Sequence, residues 1–261
     1  MAIIRSFLAL SLLLVFSLAA SAQTRVYRTP RAVSFENVAR KTFPKYYGPE
    51  AYQKLEVAGF YPIGWSRDGK FAYYVEPVDE ACGCYFAELY ILDLKTDKEL
   101  WKFKNDPESR VDANGAPLDD NLQKLWKRNQ RLFNKKLSEY GIVPITRFAS
   151  LGNNFSSGGR SYSVKLIAPK EHDDEFGYDH VRSVNLALSS PALGTKTVYS
   201  ADEKGERFLS PLDVAVAGVL KSPFENRMAI VMMSVHRGWE GPPHTVGFQA
   251  AGADLVSGFK K

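Results

Sequence analysis

The chain's four histidines fall as two pairs, His172 with His180 and His236 with His244, each among acidic or aromatic neighbours. His172, Asp174 and His180 lie within a stretch of nine residues. Imidazole nitrogen and carboxylate oxygen suit zinc and other divalent ions, so these three are the candidate metal ligands. Their spacing matches no metalloenzyme signature such as His-Glu-x-x-His. The alternative is a solvated acidic loop, since Glu171, Asp173, Glu175 and Asp179 crowd the same stretch. Asp112-Ala113-Asn114-Gly115 echoes a calcium loop but lacks the remaining oxygen ligands.

A second candidate is Arg237-Gly238-Trp239-Glu240-Gly241-Pro242-Pro243-His244. Trp239 stands among glycines and prolines, where no strand needs it for a core. An aromatic on a rigid loop beside Arg237, Glu240 and His244 has the composition of a recognition surface. The competing role for Trp239 is to close the end of a sheet.

The chain has two cysteines, Cys82 and Cys84, separated by Gly83. In an oxidising compartment a disulfide is the default for such a pair. A redox pair and a thiolate metal pair are the alternatives. Two other resemblances to catalytic motifs fail on context. Gly64-Trp65-Ser66-Arg67-Asp68 starts like a nucleophile elbow, but Asp68 replaces the second glycine and the turn precedes a strand. The glycine- and serine-rich run at 152–161 is one residue too long for a phosphate loop and carries Arg160 in place of lysine, so a surface loop is expected there.

The elements that must position these residues are mostly strands. Sixteen Phe, thirteen Tyr and four Trp favour pleated, half-buried surfaces. Asp68-Gly69 signals a turn, and strands are expected at 71–75, 87–94 and 99–103. Further strands are expected at 162–168, 183–188, 197–199, 213–220 and 228–233. Leu118, Leu122, Leu125, Trp126, Leu132, Phe133, Leu137 and Tyr140 recur at helical spacing, with Asp119 or Asp120 to cap the start and Gly141 to end it. A short helix is also conceivable at 49–57. The fold class expected is mainly β, with antiparallel sheets as blade-like meanders or a sandwich, and one long amphipathic α-helix.

The meander built on Trp65, Ser66, Asp68, Gly69, Lys70, Leu89, Tyr90 and Asp93 resembles one blade of the TolB-like, WD40-like β-propeller repeats. A whole propeller needs at least four blades of about 40–45 residues, which this length barely fits. The order of that turn, the Tyr90–Leu94 strand and Arg237-Gly238-Trp239-Glu240-Gly241-Pro242 is similar to that of a bacterial family of predicted secreted proteins of unknown function. The resemblance implies export and a β-rich fold, and it brings no catalytic residues. The Cys-Gly-Cys loop, and the long helix, depart from the pattern.

Residues 1–22 read as a signal peptide. Arg5 supplies the positive start, 7–19 an apolar run, and Ala20-Ser21-Ala22 a cleavage site. Removing 22 of the 261 residues leaves a chain of about 239, with no span expected in it. The net charge of +5 includes Arg5, so +4 remains. That excess is too small to imply nucleic acid. A basic lead-in occupies 23–60 and a single β-rich domain 61–261, with a helical insertion at about 118–140. The basic helix offers contact with an anionic membrane surface, or simply packs on the sheet. The reading is therefore a secreted or periplasmic, non-catalytic binding or envelope-associated protein, with an unidentified protein or envelope component as partner and no cofactor. The alternative is an exported hydrolase or metal-dependent enzyme, which requires the two histidine pairs to converge.

Overall fold

A computed structural model describes residues 25–50, 54–80, 84–105, 120–145, 148, 150–175, 177–204 and 210–261. The leader at 1–22, the calcium-like run at 112–115, Leu118, Asp119 and Cys82 lie outside the described residues.

The protein is mainly β, its sheets almost wholly antiparallel. An N-terminal sheet has the order β5-β4-β3-β2-β6, from β2 (Gly59–Trp65), β3 (Lys70–Glu76), β4 (Ala87–Asp93), β5 (Lys98–Asn105) and β6 (Val143–Pro144). A middle sheet has the order β1-β16-β15-β14-β7, from β1 (Glu56–Val57), β7 (Ser150–Leu151), β14 (Asp213–Lys221), β15 (Arg227–His236) and β16 (Thr245–Asp254). An outer sheet has the order β13-β12-β9-β8, from β8 (Asn154–Ser157), β9 (Arg160–Ile167), β12 (Ser183–Ser190) and β13 (Gly194–Asp202). A separate hairpin pairs β10 (Lys170–Asp173) with β11 (Tyr178–Val181). Among the described strands, only β1 runs parallel to its neighbour, β16.

The sequence of β15 explains the layering. Side chains alternate across a strand, so Ala229, Val231, Met233 and Val235 face one way and Met228, Ile230 and Met232 the other. The first set joins Phe60, Phe71, Tyr73 and Val75 of the N-terminal sheet in one core. The second set joins Val164, Leu186 and Leu188 of the outer sheet in another. A strand buried on both faces reads as a continuous apolar run, as 228–233 does. Each such side chain is worth about 1.5–3 kcal/mol of burial. The strand β12, by contrast, alternates strictly between buried and half-buried positions. The free face of the N-terminal sheet, with Ala72, Tyr74, Leu89 and Ile91, packs on a helix. The stack therefore runs helix, N-terminal sheet, middle sheet, outer sheet.

Two helices occur among the described residues, α1 (Glu36–Thr42) and α2 (Leu122–Glu139). Asn121, not an aspartate, caps α2: its extended backbone lets the side chain accept the Lys124 N–H at 3.0 Å. Asp120 instead pairs with Arg128. At the other end Gly141 takes a φ of +67°, with the Ile142 N–H donating to Leu137 and the Gly141 N–H to Ser138. This is a Schellman ending, closed by contact between Leu137 and Ile142 in the same core. Leu122, Leu125, Trp126, Phe133 and Leu137 are spent on the sheet, whereas Leu132 is 38% exposed. The buried stripe of α2 is thus spent on the sheet, and its outward face is rich in lysine and arginine, with Leu132 among them. No helix among the described residues is long and apolar enough to cross a membrane.

The lead-in contributes to the cores. Phe35, Ala39 and Phe43, on and beside α1, are buried between the N-terminal and middle sheets. Tyr27 is buried beside α2, where its hydroxyl donates to the Ile142 carbonyl at 2.5 Å and Trp126 Nε1 donates to its carbonyl at 3.2 Å. The helix expected at 49–57 is not seen at its end: Glu56 and Val57 form β1, because the backbone there pairs with β16. The glycine- and serine-rich run is a hairpin rather than a loop. Gly158 and Gly159 both take positive φ, +57° and +72°, the two-residue turn that matches strand twist, and β8 and β9 flank it.

Candidate functional site

The loop that follows β15 is locked by backbone contacts. A Cβ on Gly238 would lie 2.2 Å from the Pro243 carbonyl oxygen and 2.3 Å from that of Gly241, so only glycine fits. The Gly241 N–H returns to the Gly238 carbonyl at 3.0 Å. The Gly238 N–H donates to Nδ1 of His244 at 3.3 Å, which leaves the ring proton of a neutral His244 on Nε2. Tyr46 meets the His244 ring edge-on at 5.6 Å. Burial, then the nearby Arg237 charge, hold His244 below the usual imidazole value, with Glu80 opposing them.

Glu80 fastens this loop to the connection between β3 and β4. One carboxylate oxygen accepts the Trp239 backbone N–H at 2.8 Å, and the other accepts the Thr245 hydroxyl at 3.2 Å. Four residues on, Cys84 is disulfide-bonded and its N–H donates to Asp79 at 2.8 Å. Its sole possible partner within the chain, Cys82, is outside the described residues. With its backbone pinned, Trp239 leaves its side chain 82% exposed. Arg237 lies over the Tyr178 ring at 5.6 Å, and Glu240 is exposed in the same turn.

Beside Trp239 runs a groove of about 420 Å³ whose walls include Pro77, Val78, Phe86, Glu88, Lys104 and Asn105. Asn105 is 2% exposed; its Nδ2 donates to the Tyr85 carbonyl at 2.7 Å, while its buried Oδ1 has no hydrogen-bond partner among the described residues. An apolar floor with a few convergent polar groups is the usual build of a ligand cleft.

The proposed metal ligands do not converge. The hairpin register sets His172 opposite Asp179 and His180 opposite Glu171, so the two imidazoles belong to opposite faces. His172 Nδ1 lies 2.8 Å from Asp179, both groups in solvent, and Asp174 follows in the turn. Among the described residues, no three of His, Cys, Asp or Glu stand close enough to hold a metal ion.

His236 lines a cavity of about 170 Å³ between the middle and outer sheets with Tyr199, Met232, Ser234, Phe248 and Gln249. Burial lowers its pKa, opposed by Glu80. The hydrogen-bonded ring contacts, His172 with Asp179 and His244 with the Gly238 N–H, involve no nucleophile.

Sequence reasoning placed Trp239, Arg237, Glu240 and His244 on one loop, and the structure adds Glu80, Tyr46, Tyr178 and Asn105. Each of these comes from a distant segment, and a lone glutamate or tyrosine in a strand-rich chain carries no local signal. Glu80 had one: it stands two residues before the cysteine pair. No family model, curated protein or solved structure matches the chain.

Proposed function

We propose that the chain is an exported, non-catalytic binding protein that engages a cell-envelope component through the Trp239 loop. The observation that carries this reading is the contrast at Trp239: a backbone N–H fixed by Glu80 and a side chain 82% exposed. Exposing an indole forfeits roughly 1.5–3 kcal/mol of burial, and fixing its backbone gains nothing unless the ring meets something. A pre-organised aromatic anchor avoids the ordering cost that a mobile loop meets on binding. The buried apolar stripe of α2 argues for the loop, not the helix, as the contact surface.

The test is affinity capture of the tagged chain from gently crosslinked envelopes, comparing the parent with Trp239→Ala. A reproducible component lost from the variant supports the reading. Recovery of the same components by both proteins sinks it.

A further inference from the structure

We infer that the groove beside Trp239 is a carbohydrate site for a neutral pyranose oligosaccharide, with the indole as the stacking platform. The inference rests on the reading of the Trp239 loop as a binding surface and names what that surface takes. A pyranose ring presents axial C–H bonds on one face and hydroxyls around its edge. The C–H face carries partial positive charge and matches the negative face of an exposed indole. The edge needs acceptors and donors arranged around that platform.

The groove supplies both. Trp239 is the most exposed large apolar residue among those described, and Pro77, Val78 and Phe86 extend the apolar surface. Asp79, Glu80, Glu88, Lys104 and Asn105 stand on the same walls. The carboxylates of Asp79 and Glu80 hold backbone N–H groups, and Glu80 the Thr245 hydroxyl as well, which orients both on the groove wall. Asn105 is a nearly fully buried amide of the wall, its Nδ2 donating to the Tyr85 carbonyl at 2.7 Å.

The charge selects the sugar. Glu88 is paired with Lys102 at 2.8 Å, so Asp79 and Glu80 against Lys104 leave the groove a small negative excess, which disfavours uronic acids, phosphorylated sugars and sialic acids. A volume of about 420 Å³ falls within the range of small-molecule clefts and admits a short oligosaccharide rather than a single small metabolite.

The experiment is ligand-observed saturation-transfer NMR and calorimetry on the chain lacking residues 1–22, with cellotriose, maltotriose and N-acetylchitotriose as three separate probes. Galacturonic acid trimer is the charged control. Binding of at least one neutral trimer is expected, weakened about ten-fold or more by Trp239→Ala and much less by Trp239→Phe. Lys104→Ala reports on the groove wall without touching the loop and should weaken the same trimer. Unchanged melting temperatures in the variants exclude misfolding as the cause. No binding of any neutral trimer at millimolar concentration overturns the assignment, as does equal binding by Trp239→Ala or preference for the charged trimer. If envelope capture still depends on Trp239 while all trimers fail, the carbohydrate assignment falls and the binding reading stands. If capture is also indifferent to Trp239, both fall.

Discussion

The carboxylate of Glu80 accepts the backbone N–H of Trp239 at 2.8 Å across 159 positions of sequence, and so ties the β3–β4 connection to the loop after β15. The bond joins the N-terminal sheet to the middle sheet at their shared end. It also sets the one exposed indole of the molecule in place.

Replacing Glu80 with alanine should therefore loosen the loop rather than unfold the protein. The pair is exposed, so the loss in global stability is about 1 kcal/mol or less. The sensitive readout is amide exchange: the Trp239 N–H should exchange much faster in Glu80→Ala, while amides of β15 stay protected. Unchanged protection at Trp239 would show that the bond does not hold the loop.

Tyr27 straps the lead-in against α2. Its hydroxyl, its carbonyl and its N–H are all engaged, with Ile142, Trp126 and Asn134 respectively. Tyr27→Ala should cost about 3–5 kcal/mol in denaturant unfolding, in the range for a buried aromatic. Tyr27→Phe should cost about 1 kcal/mol, the net worth of the lost hydroxyl bond. Equal effects of the two would mean the ring is not packed there.

Gly252 on β16 marks a close approach between layers. A Cβ there would lie 2.4 Å from the Leu94 carbonyl oxygen and 2.5 Å from its Cα, both backbone atoms that cannot swing aside. Gly252→Ala should lower stability by roughly 1–3 kcal/mol through overpacking. Gly247→Ala on the same strand meets nothing nearer than 3.8 Å and serves as the control, expected to change little.

The half-buried His236 gives stability a pH dependence of defined sign. In the unfolded chain its imidazole titrates near the ordinary 6.5, and burial lowers that value in the fold. Between the two values the unfolded state binds the proton and the folded state does not. This contribution is thus fully present above about 6.5 and is lost as pH falls towards the folded value. His244 is shifted in the same direction. Unfolding free energies measured from pH 7.5 down to 5 should fall for the parent and fall less for His236→Gln. A parallel pair of curves would refute the assignment.

Much of this architecture was legible because burial leaves a signature in sequence. The run 228–233 is apolar without interruption since β15 is covered on both sides, and the stripe of α2 repeats at the spacing its sheet demands. The strand β16 was not legible. Its Gly-Phe-Gln-Ala-Ala-Gly core is poor in β-branched residues, because Gly252 must admit the Leu94 backbone and small side chains fill tight interlayer space. The strand β2 was hidden by Pro62 and by two glycines, of which Gly64 lies against the Val143 carbonyl at 2.1 Å from a would-be Cβ. Of the site, the loop carrying Trp239 was readable from its glycines and prolines. Glu80 and Asn105 were not, since their roles exist only after segments far apart in the chain have met.

The middle sheet has a kinetic consequence. Its long strands β14, β15 and β16 lie within the final forty-nine residues, from 213 to 261, yet both other sheets bury a face against them. A chain growing from its N-terminus completes the N-terminal and outer strands while the surface they need does not yet exist. Those strands are held open by topology until the last segment arrives, and long-range pairing of that kind is slow.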